Sequence, residues 1–261
     1  MKLLIGGSPC THWSIAQTKN RETEASGIGW ELFLNYRIAR DKYQPDYFLY
    51  ENNKSMSSAI RAQITAELGV EPVLINSALV SAQNRQRLYW AGKRNPDGTY
   101  SQVPVELPED RGMITVKGQE YPIKLRDGCY IIRKLTVREC MRLQTVPETY
   151  VFPVSPRQAY KMLGNGWTVD VIAHIMGHFK GLAAGPVEVL SMYDGMSCGH
   201  IALDKLGVEI ASYHATEIDK FAVQTTQANF PDVVQLGDAF QVREDGWTYA
   251  GLTGGASEAA E

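Results

Sequence analysis

Residues 187–199 read VEVLSMYDGMSCG, an apolar run that breaks into a turn of small residues and then resumes with helical spacing. Such a pattern places a buried strand directly before a tight turn and a helix N-terminus, where backbone amides can approach a bound ligand. Two further strand-like runs follow at 209–213 and 233–236, separated by helical stretches at 199–206 and 222–229. Beyond them stand two acids, Glu217 in TEID and Asp238 in GDAF. A carboxylate after the second strand suits a ribose diol, and one after the third suits an adenine amino group. Taken alone, these residues are served equally well by a nucleoside-type cofactor and by an ordinary Rossmann-like core with surface acids.

The same alternation runs upstream. Apolar runs at 2–5 and 47–50 read as buried strands that deliver polar residues at their ends, and 28–39 between them carries apolar residues at helical spacing. A helix is predicted over 57–68, closed by Gly69, and a strand over 72–76. Alternating strands and helices predict an α/β fold with a parallel doubly wound sheet and ligands at the carboxyl ends of its strands. The pattern degrades over 93–127, with NPDG, Pro104, Pro108 and a short alternating run at 113–116, which reads as a small β-rich module or a long loop. Helices return at 136–143, where Thr136 and Glu139 are spaced as a capping box, and at 168–179. The stretch 251–261 has the Gly/Ala/Ser/Glu composition of a disordered tail.

At 261 residues, with 44% hydrophobic and 21% charged, the chain suits one sizeable α/β domain and a small appendage. The net charge of −3 argues against a protein that coats nucleic acid indiscriminately, yet over 81–142 twelve Lys/Arg stand against seven Asp/Glu. That local excess fits a DNA footprint or a solvated face. Residues 1–10 do not read as a leader peptide, and no apolar run approaches the roughly eighteen residues of a membrane helix. Cys10, Cys129, Cys140 and Cys198 show no CxxC spacing, so reduced thiols in a cytoplasmic setting are expected and no metal site is. His174 and His178, one helical turn apart, lack a third ligand and read as a helix face.

Three further motifs carry chemistry. GGSPC at 6–10 turns a thiol out of a strand end, as a nucleophile or as a structural cysteine. Glu51-Asn52 supplies an acid at the neighbouring strand end or a helix-capping pair. In QNRQR at 83–87, Arg85 and Arg87 share one side of an extended segment, for a ligand or for solvent.

Together GGSPC (6–10), ENN (51–53), QNRQR (83–87), RKLTVRECMRLQTVPETY (133–150), GNGW (164–167), SMYDGMSCG (191–199), TEID (216–219) and GDAF (237–240) resemble the motif set of the DNA cytosine-C5 methyltransferases across nearly the whole chain. In that family the cofactor motifs come first; here the Pro-Cys motif opens the chain and the cofactor motifs close it. Joining the two ends restores the family order, which implies a circular permutation broken between the third and fourth strands of an S-adenosylmethionine-dependent methyltransferase sheet. The resemblance implies Cys10 as the nucleophile at cytosine C6, Glu51 as the acid near N3, Asn52 as a brace for the loop, and Arg85 and Arg87 as base contact and loop support, with Arg87 at the base. It also implies S-adenosylmethionine as cofactor, with Tyr193, Asp194, Gly195, Met196 and Cys198 at its methionine and sugar end. Glu217 and Ile218 would then hold ribose and adenine, Asp238 and Ala239 would lie at the adenine, and Pro9, Asn165 and Trp167 would close the pocket. A flipped cytosine in double-stranded DNA is the implied substrate, with residues 11–29 as the loop that closes over it. A transfer-RNA-modifying branch and non-catalytic regulatory relatives share these motifs.

The implied organisation is a catalytic half at 1–92, a small target-recognition region at 93–132, the remainder with the cofactor half at 133–250, and the tail at 251–261. Asn53 stands where the family usually has an apolar residue. The short 93–132 region implies a narrow target, such as a dinucleotide, or specificity that depends on a homodimer.

Overall fold

The computed structural model describes residues 1–14, 21–109, 120–124 and 130–244, with the backbone alone at Cys10, 120–124 and 130–133. Five strands pair in parallel: β1 (Lys2–Gly6), β2 (Tyr47–Asn53), β8 (Val187–Met192), β9 (Ile210–Thr216) and β10 (Val234–Gly237). With β3 (Pro72–Asn76), β4 (Gln86–Arg94) and β5 (Tyr100–Gln102) they form a sheet of order β10-β9-β8-β1-β2-β4-β3, with β5 on β4. β4 runs antiparallel to β2, β3 and β5, so the sheet is mixed, not all-parallel as the alternation predicted. The reason lies in the connections: the turn after β3 reverses the chain directly into β4, with no crossover helix between them.

The strands are apolar on both faces because both are covered. On one side Leu3, Ile5, Leu49 and Val189 pack with α3 (Val137–Leu143), α4 (Pro156–Asn165), α5 (Val169–Met176), α6 (Cys198–Lys205) and α7 (Lys220–Asn229). On the other Leu4, Phe48, Tyr50, Leu190 and Met192 pack with α1 (Gly27–Tyr43), α2 (Ser58–Leu68) and α8 (Ala239–Glu244). β6 (Glu120–Lys124) and β7 (Tyr130–Lys134) pair antiparallel as a separate two-stranded sheet, β6 within the stretch 93–127 read as a β-rich module or a loop and β7 just beyond it. The run at 113–116 and the tail at 251–261 lie outside the described residues.

The predicted helices and strands recur with ends shifted by a few residues, and the Thr136–Glu139 capping box is present in both directions. α4, α8 and β4 were not predicted. Gly27 and Gly29, read as the end of a loop, form the first turn of α1, and residues 15–20 of that loop lie outside the described residues.

Candidate active site at the carboxyl edge of the sheet

Strand register brings the motifs into one row. Tyr50 pairs with Gly6, Gly6 with Met192, Met192 with Thr216, and Thr216 with Gly237. The next residue on each strand is therefore Glu51, Gly7, Tyr193, Glu217 or Asp238, so five motifs scattered over the chain lie side by side toward the carboxyl ends of the parallel strands. Arg87 arrives from the opposite direction: β4 pairs Asn53 with Arg87 and Glu51 with Tyr89, which makes Arg87 a diagonal neighbour of Glu51.

Both oxygens of the buried Glu51 carboxyl are engaged. Arg87 Nε lies 2.9 Å from Oε1, and Trp167 Nε1 donates to Oε2 at 3.0 Å. Over this group lies the turn that leads to Pro9 and Cys10. A Cβ on Gly7 would sit 2.8 Å from the Glu51 carbonyl oxygen and 2.9 Å from Oε2, so only glycine allows the approach. Asn52 pins the same turn, its Nδ2 donating to Ser8 O at 3.2 Å and to Tyr50 Oη at 3.1 Å, while Ser8 Oγ and Tyr50 Oη are 2.6 Å apart. Pro9 is exposed, and Cys10 opens a single 3-10 turn, Cys10–His12. Asn53, the departure from the motif, is buried and accepts from Ser55 Oγ at 2.7 Å.

Arg85 does not join Glu51. Its Nη1 and Nη2 donate to the carbonyls of Gly164 and Gly166, each at 2.9 Å, and so brace the loop that carries Trp167. Gln144 supports that loop from below, donating to Leu163 O at 2.6 Å and accepting from Thr168 Oγ1 at 2.8 Å. Asn165 ends α4 exposed. Gly166 lies against the other half of the row, where a Cβ would be 3.2 Å from Cys198 Sγ. Burial pushes the Cys198 thiol up to about 12, which leaves it inert as a nucleophile.

After β8 the backbone turns sharply, with Tyr193, Gly195 and Ser197 all at positive φ (59°, 61° and 57°). Thr216 ties this turn to β9, taking Tyr193 N on Oγ1 and Asp194 N on its carbonyl, each at 3.0 Å. Asp194 accepts from Ser191 Oγ at 2.6 Å, from Tyr213 Oη at 2.8 Å and from Ser197 Oγ. Burial pushes its carboxyl up, and the Ser191, Ser197 and Tyr213 hydroxyls pull the other way. Tyr150 Oη donates to Met196 O at 2.7 Å. Glu217 is held by three backbone amides: Gly195 N at 2.8 Å, Ile218 N at 2.8 Å and Asp219 N at 2.7 Å. Ile218 beside it is 76% exposed. Asp238 is exposed and accepts from Phe240 N at 2.9 Å at the start of α8, whereas Ala239 is buried. Among the described residues no cluster of His, Cys, Asp and Glu could hold a metal ion; His174 Nε2 bonds Glu106 O at 2.7 Å and His178 Nδ1 bonds His174 O at 2.9 Å.

Sequence reasoning missed the hydroxyl cage around Asp194 and the supports from Gln144, Thr216 and Tyr150. Ser191 and Ser197, each three residues from Asp194, were legible as partners of a turn carboxylate; Tyr213, Thr216, Gln144 and Tyr150 carry no such local signal.

The family model described as C-5 cytosine-specific DNA methylase matches residues 1–122 and 107–181. Among curated relatives, the type II methyltransferase M.SsoII of Shigella sonnei is 52% identical over 66% of this chain and 62% of its own length. The type II methyltransferase M1.ScrFI of Lactococcus lactis subsp. cremoris is 29% identical over 65% of this chain and 60% of its own. The orphan methyltransferase M.Rho11sI of Bacillus phage rho11s is 33% identical over 35% of this chain and 20% of its own. The chain thus spans about three-fifths of the first two relatives and a fifth of the third. With the matched segments running through the GGSPC turn, the Glu51–Arg87 pair and the Trp167 loop, the chain belongs to the C-5 cytosine-specific DNA methylase family.

Proposed function

We propose that this chain transfers a methyl group from S-adenosylmethionine to C5 of a cytosine in double-stranded DNA. The observation that carries the reading is the single row at the strand edge, with the Gly7 turn and the Glu51–Arg87–Trp167 cluster beside the Tyr193–Glu217 turn.

The residues fit the cofactor. Among the described residues nothing lies within 4 Å of a Cβ built on Gly195, which leaves space over the turn, and the fixed Glu217 carboxylate has further lone pairs for a ribose diol. Exposed Ile218 offers an apolar face to adenine, and Asp238 an acceptor for its amino group. Bound there, S-adenosylmethionine supplies the methyl group.

This chain's own residues prepare the base. Cytosine C5 is a poor nucleophile, so the Cys10 thiolate adds to C6 and raises the electron density at C5. Glu51 relieves the charge that builds on the ring by hydrogen bonding and proton donation at N3, and Arg87 orients Glu51 and meets the base carbonyl. Arg85, Asn52 and Trp167 are positioning residues. After methyl transfer, loss of the C5 proton expels Cys10. The base must first leave the duplex, at a cost of roughly a few kcal/mol. The same reading assigns catalysis to 1–92, target recognition to 93–132 and cofactor binding to 133–250, and sets the work in a cytoplasm containing bacterial or phage DNA. The strand order supports a circular permutation, since β8, β9 and β10 occupy the first three places of the doubly wound sheet and β1 the fourth.

Bisulfite sequencing of DNA from cells expressing the chain tests the proposal. Methylated cytosines in a short recurring sequence are expected, and none with Cys10→Ala. Methylation confined to transfer RNA would overturn the DNA reading.

A further inference from the structure

Two cations follow the motifs of this site along the chain, Arg21 after the Cys10 turn and Lys54 directly after the 51–53 motif. Arg21 and Lys54 are exposed, and neither pairs with a carboxylate among the described residues. Most other cations near the described site are spoken for: Arg87 by Glu51, Lys161 by Asp219, Arg243 by Glu31.

Both are also fixed. Arg21 Nε donates to Trp13 O at 3.3 Å and Nη2 to Ser55 O at 2.6 Å, which ties the segment after Cys10 to the segment after Glu51. Ser57 Oγ donates to Thr23 O at 2.5 Å and locks the same junction. The adjacent Glu22 is turned inward, accepting from Trp13 Nε1 at 3.1 Å and from Gly29 N at 3.3 Å, and so does not neutralise Arg21. Lys54 follows the 51–53 motif directly, and its Nζ donates to the neutral amide of Gln86 at 2.6 Å, next to Arg87. Carbonyl and amide partners orient a cation without cancelling its charge. Oriented cations with no carboxylate partner among the described residues are suited to phosphate oxygens.

We infer that Arg21 and Lys54 form a phosphate clamp that grips the DNA backbone flanking the base engaged by Cys10 and Glu51. The inference rests on the methyltransferase reading, and it assigns a substrate contact to two residues outside the methyltransferase motifs.

The test is the salt dependence of affinity for a mixed-sequence DNA duplex, measured by fluorescence anisotropy between about 50 and 200 mM salt. Removing one phosphate contact lowers the slope of log K against log salt by about 0.9, which is about an eightfold loss at 0.1 M salt. Lys54→Gln and Arg21→Ala are each expected to show that loss, with S-adenosylmethionine affinity unchanged, and Arg21→Lys to retain the slope. Lys180→Gln, which removes an equal charge beside Tyr47 at the far end of β2, is expected to leave the slope at the unmodified value. If Arg21→Ala fails to fold, Lys54→Gln decides. Unchanged slopes in the Lys54 and Arg21 variants overturn the clamp alone; a chain that binds no duplex overturns the clamp and the methyltransferase reading together.

Discussion

Glu51 shows how much of the site a single residue discloses. Its place at a strand end was legible from the apolar run before it, and Arg87 was legible from the alternation of QNRQR. Trp167, the donor to its second oxygen, lies 116 residues away and only the fold brings it there. Trp167→Phe keeps an aromatic side chain but trims the indole to a smaller phenyl ring and deletes the donor, leaving Oε2 short of a partner in a buried setting. We expect a stability loss of about 1–3 kcal/mol by urea denaturation, together with a lower kcat. Gly7→Ala should act differently. Its Cβ meets the Glu51 backbone, which cannot swing aside, so the turn carrying Cys10 must shift. A misplacement on the scale of 1 Å costs about a hundredfold in rate, and methyl transfer should fall by that order while the thermal transition stays cooperative.

At the scale of elements, legibility followed local signals. The capping box of α3 announced its own start, and β8, β9 and β10 were bounded by polar residues. α4 had signals too, in Ser155-Pro156 at its start and in Ala159, Met162 and Leu163 on its buried side, but short extended segments around it masked the period. β4 was harder to see, because Leu88–Ala91 is buried throughout and its antiparallel direction depends on β2 and β3. One contact between elements makes a pH prediction. The Lys161 ammonium, 2.6 Å from Asp219 at the start of α7, holds that carboxyl below the usual carboxylate range. A lowered folded value adds stability above the ordinary pKa of about 4, and the gain is lost as pH falls through the lower value. Lys161→Met should therefore lie below the parent in Tm near neutral pH, with the gap closing in acid; a gap independent of pH would show that the pair contributes nothing through this linkage.

For the whole molecule, the fold class was legible because alternating strands and helices admit few arrangements, whereas the antiparallel course of β4 between β2 and β3 was not. The Met1 ammonium lies 3.3 Å from Pro186 O, and β1 pairs with β8 along its full length, so the two halves share one sheet rather than abutting as domains. Moving the chain break to the exposed stretch at 183–186, with residue 261 joined to Met1, should preserve cooperative unfolding and methyl transfer. Loss of both would contradict the permutation. The central claim, that Cys10 bonds to C6 of the target base, is tested most directly with a DNA duplex containing 5-fluorocytosine, whose fluorine cannot depart as a proton. With S-adenosylmethionine present, the chain is predicted to form a complex that survives denaturing electrophoresis and maps by mass spectrometry to Cys10. Absence of that complex, or full methyl transfer by Cys10→Ala, would contradict the account.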